Sequence, residues 1–184
     1  MGAMRDGVPD FIRHPKLVEL FRYWRGLAPD GGVPLRRSID PVALRTMLPH
    51  LQLLEIGATP DDLRYRLAGG VIVDAFGFEP TGLTRREIRR TRVMRDRYAE
   101  FDRTSAETHE VAVRGLIAYT HDHMTSYLRD HLAYARLNLP VSEDGVRSSG
   151  VFGALFLSSD GDPFWKNSFA ELHATLPLAE LDRG

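Results

Sequence analysis

Three groups of side chains in this 184-residue chain have types and spacings that could do chemistry. His121 and His123 stand two apart, so on a strand both imidazoles project to one side. Imidazole pairs bind zinc, copper or nickel when a third donor joins them. The third donors on offer, His109, Asp130 and His131, stand apart from the pair in sequence. The same residues read equally well as a polar, histidine-containing loop, and no metal site is assigned. The second group is an arginine run of Arg85, Arg86, Arg89, Arg90, Arg92, Arg95 and Arg97. Against Glu87 and Asp96 it nets +5 within thirteen residues. Guanidinium groups bind phosphates and carboxylates, but helical spacing spreads this run over a solvated face. The third group is Tyr65, Phe76, Met94, Tyr98, Tyr134 and Phe152, which could surround a ligand or fill a core. A buried tyrosine ring still needs a partner for its hydroxyl, which favours a pocket. Arg136, and likewise Arg66, could face a bound anion or solvent.

Signatures of catalysis are missing. The chain has no G-x-S-x-G, no Walker A and no H-E-x-x-H sequence. No cysteine is present, which removes disulfides, thiolate metal sites, a thiol nucleophile and any thioether-linked chromophore. A cofactor or ligand would have to be held non-covalently, and the sequence does not identify one. No catalytic residue is assigned, and an unrecognised small α+β enzyme is the least favoured reading.

Charge narrows the partners. Basic and acidic residues number 24 and 25, a net charge of −1. That balance argues against broad binding to nucleic acid or an anionic membrane. Aromatic residues do not interleave the arginine run as a single-strand binder requires. No apolar stretch approaches the roughly 20 residues of a spanning helix, and the first ten residues lack a signal-peptide core. A cytoplasmic protein is expected.

The elements that must position these groups follow from periodicity. Leu17, Leu20, Phe21 and Trp24 form one apolar stripe on a helix from Pro15 to Leu27. The stripe is a candidate homodimer contact, and it could equally dock on the chain's own sheet. Asp40-Pro41 starts a short helix carrying Val42, Leu44 and Met47. Leu51–Ile56 and Leu63–Leu67 read as a hairpin. A short helix spans Val71–Phe78, and one longer helix spans Arg86–Ala106. The segment Glu110–Tyr119 is ambiguous between helix and strand. Leu132–Val141 alternates as a strand, and Val151–Leu157 reads as another. The order predicts an α+β fold with an antiparallel sheet.

Five segments then match a known pattern in order. Tyr23-Trp24 through Pro34–Arg37, Ile39-Asp40-Pro41 and Met47-Leu48-Pro49 form the first. Arg64–Gly69, Glu79–Gly82, Arg136–Val141 with Asp144-Gly145, and Gly153-Ala154 follow. Together they resemble a PAS-like family common in alphaproteobacteria, the PAS_5-type stand-alone proteins, over about Leu17 to Leu157. Residues 104–131 depart from the pattern and leave the third strand unplaced. The resemblance implies a five-stranded antiparallel sheet with short helices on one face, beside the N-terminal amphipathic helix. It implies sensing or protein contact as the task, with no catalysis.

The expected organisation is a flexible segment 1–13, a single domain over 14–159, and a tail over 160–184 that includes helix. The expected function is a signalling module that binds a small ligand and relays it to an unknown protein partner. The expected ligand residues are Tyr65, Phe76, Met94, Tyr98, Tyr134, Arg136 and Phe152. A ligand-free interaction scaffold or homodimeric adaptor is the alternative.

Overall fold

The computed structural model describes residues 4–28, 31–91, 98–124, 129–158, 163–166 and 171–183. Segment 1–13, expected to be loose, instead holds a small hairpin, β1 (Met4–Arg5) and β2 (Val8–Pro9). It is tied down because Val8 and Ile12 are buried. Helix α1 (Pro15–Gly26) follows with Pro15 at its first position, where a missing N–H costs nothing.

The centre of the molecule is an antiparallel sheet. β3 (Leu51–Glu55) and β4 (Arg64–Ala68) form the predicted hairpin. β5 (Leu116–Met124), β6 (Arg129–Ser142) and β7 (Ser148–Leu157) pair in succession, and β7 also pairs with β3. β8 (Leu172–Pro177) adds to the far side of β5. The order is β4-β3-β7-β6-β5-β8. The five strands implied by the resemblance are β3 to β7, and β8 is a sixth. Part of the expected helical tail is therefore strand. Its side chains show why: Leu172, Ala174 and Leu176 turn inward while His173 and Thr175 are exposed, a period of two.

The unplaced third strand is β5. Gly115 takes a left-handed φ of 61° and turns the chain from helix directly into it. The single helix expected over Arg86–Ala106 is two, α3 (Arg85–Arg89) and α4 (Tyr98–Arg114). Thr84 opens α3 with a reciprocal capping box to Glu87. The short helix expected at Asp40 is a run of turns. Asp40 Oδ1 accepts from the Val42 N–H, and the next bonds span three residues, not four.

The sheet is covered on both faces. On one face α1 packs Leu17, Leu20, Phe21 and Trp24 against Leu137, Leu139, Val141, Phe152 and Ala154. All four α1 residues are buried, and Trp24 Nε1 donates to the Pro140 carbonyl at 2.9 Å. The stripe docks on its own sheet, so the expected dimer contact through these residues is corrected. A second copy cannot reach side chains that this sheet already covers. On the other face lie α2 (Gly70–Phe76), α3 and α4. Ile72, Phe76, Ile88, Phe101 and Val111 meet Leu54, Tyr65 and Val151 there.

Candidate functional site

The helical cover of the second face leaves a cavity of about 50 Å³ over the sheet. β3 contributes Gln52, β4 Tyr65, β6 Tyr134 and Arg136, and β7 Leu155. Above them are Ile72, Ala75 and Phe76 of α2, Arg85 of α3 and Thr104 of α4. That volume holds about four water-sized groups, since one water needs roughly 10–15 Å³ by this measure.

Local register decides who faces the cavity. On β6, Tyr134, Arg136 and Asn138 alternate with Ala135, Leu137 and Leu139, which face α1. On β4 a bulge intervenes. Leu53 pairs with Leu67 and Leu54 pairs with Tyr65, so Arg66 is the extra residue. Tyr65 and Leu67 would share a face on a regular strand; the bulge turns them to opposite faces. Tyr65 is thereby buried against Phe76, while Leu67 is 39% exposed on the other side.

The cavity floor is polar. Gln52 on β3 and Asn138 on β6 both register with Gly153 of the intervening β7. With no side chain at Gly153, Gln52 Nε2 reaches over the strand and donates to Asn138 Oδ1 at 2.7 Å. A Cβ there would sit 2.1 Å from the Leu137 carbonyl oxygen.

Two guanidinium groups dominate the electrostatics. Arg85 is only 3% exposed and stands over two rings, 5.1 Å from Tyr65 and 4.8 Å from Phe101. No carboxylate among the described residues pairs with it, and its Nε has no hydrogen-bond partner among them. Arg136 likewise has a buried, unpartnered Nε. Its nearest carboxylate is Glu107, 3.9 Å away, and Glu107 already accepts from Arg103 at 2.6 Å. A buried cation usually demands a well-matched anion. Here the protein supplies rings to one and a distant, shared carboxylate to the other.

Of the residues expected to bind a ligand, Tyr65, Phe76, Tyr134 and Arg136 come together in this cavity. Phe152 does not. It alternates with Val151 and Gly153 and lies in the core under α1. Met94 lies outside the described residues, and so does the side chain of Tyr98, whose backbone begins α4. Sequence reasoning missed Gln52, Ile72, Ala75, Thr104 and Leu155, and it placed Arg85 on a solvated face. The rest of the described run behaves as expected: Arg86 pairs with Asp62 and Arg89 with Asp102. Arg92, Arg95 and Arg97 lie outside the described residues.

The histidine pair also divides. His121 is buried with its ring 5.6 Å from Phe164 and 5.5 Å from Trp165, and burial lowers its pKa. His123 is exposed and lies with Asp122 and Glu171, their ligand-type atoms within 4.8 Å of one another. Asp122 is meanwhile held by His173 Nε2 at 3.0 Å. His109 is far from this cluster in the fold, bonded to the Gly57 carbonyl through Nε2. The side chains of Asp130 and His131 lie outside the described ones.

A cavity between a central antiparallel sheet and short crossing helices is the setting in which the comparisons with known proteins acquire meaning. The family model PAS_5, a PAS domain, matches residues 12–155. The chain belongs to the PAS domain family. That span runs from the start of α1 to the last cavity residue of β7, and leaves β8 outside. No curated protein and no solved structure matches the chain. PAS domains are in general sensory and signalling modules and not enzymes. Among the described residues, no carboxylate or histidine lines that cavity. No helix among the described residues is long and apolar enough to cross a membrane.

Proposed function

We propose that this PAS domain is a cytoplasmic sensory module without catalytic activity. It binds a small molecule non-covalently in the cavity between the sheet and helices α2 to α4, and passes the bound state to a protein partner. The single observation that carries the reading is Arg85, a cation buried in a cavity wall with no carboxylate beside it among the described residues. Such an arrangement lowers stability on its own and is the mark of a site waiting for a ligand. A ligand with higher affinity for one conformation shifts the population toward it. The cavity is walled by three separate helices, so a shift there reaches the outer surface of the domain.

Native mass spectrometry of the purified protein, followed by denaturing analysis, tests this. The expected result is a small adduct lost on denaturation. A bare protein whose melting temperature also ignores a panel of small metabolites would falsify the ligand reading and leave a ligand-free scaffold, because any binder of the folded state raises stability. The same spectrum reports whether the chain is a monomer or a dimer.

A further inference from the structure

We infer that the molecule this cavity takes is a small organic carboxylate of about two or three carbons, an inference that rests on the sensory-cavity reading above. Three observations combine. Arg85 and Arg136 approach the cavity from different elements, a helix above and a strand below, and each has a buried guanidinium Nε without a partner. Guanidinium forks match the planar carboxylate with paired charge-assisted bonds. The remaining walls are apolar or aromatic, with Ile72, Ala75, Phe76 and Leu155 facing the same space. They suit a short hydrocarbon body and not a hydrated inorganic ion. Of the neutral polar groups, the Thr104 hydroxyl donates to the Phe101 carbonyl at 3.0 Å and Gln52 donates to Asn138, while Tyr65 and Tyr134 bring hydroxyl-bearing rings to the same space. The volume sets the size, since room for about four water-sized groups excludes nucleotides and flavins.

Two guanidinium groups on one cavity favour the anionic form of its ligand. Binding places negative charge between Arg85, which has no carboxylate beside it among the described residues, and Arg136, whose Glu107 is 3.9 Å away and shared with Arg103, and draws α3 and β6 toward a common partner. Release leaves Arg85 on the Tyr65 and Phe101 rings alone.

The test is calorimetric titration and thermal shift of the full chain with acetate and propionate. Their uncharged amides, acetamide and propionamide, serve as same-shaped controls, and inorganic phosphate is a third arm. The expected result is that a carboxylate binds at least ten-fold more tightly than its amide, as charge-assisted bonds predict. Arg85→Met and Arg136→Met should each weaken that binding at least ten-fold. Arg86→Met, on the exposed Asp62 pair, should leave it unchanged. The comparison of carboxylate with amide uses the native chain, so it stands even if a variant does not fold. Equal binding of acid and amide, preference for phosphate, or a neutral adduct in the native spectrum overturns the carboxylate assignment and keeps the sensory cavity. No binding by any arm, together with a bare native spectrum, overturns both.

Discussion

The two faces of the sheet are built on opposite principles. The α1 face is packed with aliphatic and aromatic side chains, and Trp24 spends its one donor on a backbone carbonyl inside it. The face under α2 to α4 gives up the same kind of packing at Gln52, Asn138, Arg85 and Arg136. Both faces use the same strands, so the contrast cannot come from strand type. It comes from alternate residues: Leu137 and Leu139 look one way, Arg136 and Asn138 the other. Apolar packing dominates one side, and the buried polar and charged groups around the cavity gather on the other. A face with buried, poorly matched charge is tolerable where the opposite face carries the larger apolar cluster.

Substitutions can break that division. The largest effect is expected at Trp24→Ala, which empties a fully buried aromatic site and orphans the Pro140 carbonyl. A loss of about 3–5 kcal/mol should appear in urea denaturation; a loss under 1 kcal/mol would mean that the α1 face is not the stabilising one. Gly153→Ala comes next. Its Cβ collides with the Leu137 backbone and intrudes on the Gln52–Asn138 bond, so about 1–3 kcal/mol should be lost by the same assay.

Gln52→Leu sharpens the comparison at smaller scale. It leaves a buried Asn138 acceptor without its donor, at a cost of about 1–3 kcal/mol. The double variant Gln52→Leu/Asn138→Leu should recover most of that, since an apolar pair leaves nothing unsatisfied. A double variant that costs the sum of the two single changes would show that the floor does not work as a pair.

The smallest effect is pH dependence, and it belongs to the α1 face. His50 stacks on Phe156 at 4.0 Å with its Nδ1 on the Leu155 carbonyl, and burial lowers its pKa from 6.5. His121 is lowered chiefly by burial and further by Arg13. A depressed folded pKa means that the unfolded chain takes up protons first as pH falls. Stability should therefore be level above about pH 6.5 and decline as pH drops through the folded values. His50→Gln should flatten the decline measured by thermal melts from pH 7.5 to 5.5, and an unchanged profile would remove His50 as a source.

How far all this was legible in the sequence depended on the kind of signal. Helix α1, the β3–β4 hairpin and the β6 and β7 strands announce themselves through apolar spacing, and the matched segments fix their order. Tyr65, Tyr134 and Arg136 could be placed near a pocket because strand alternation is a local rule. Phe152 could not be placed, since a sheet covered on both faces makes either side of β7 look like core. Arg85 was hidden for a related reason. It sits among similar arginines, and only the Thr84 capping box sets the phase that puts Arg85 and Ile88 inward. A Thr-Arg-Arg-Glu sequence was the available clue, since the box fixes the first helical position. The β4 bulge leaves no mark in a sequence that alternates smoothly through Leu63, Tyr65 and Leu67.

The strand order also sets a timetable. β3 lies beside β7, about a hundred residues further along the chain, and β8 must pass two strands to reach β5. During synthesis the first hairpin therefore waits, one edge unpaired, until residue 157 has been made. Domains dominated by such distant pairings fold in roughly milliseconds to seconds. The cavity draws on Gln52 and Leu155 together, so it does not exist before then. Under the proposed reading, a small molecule would meet only the finished domain and would have nothing to hold while the chain is still emerging.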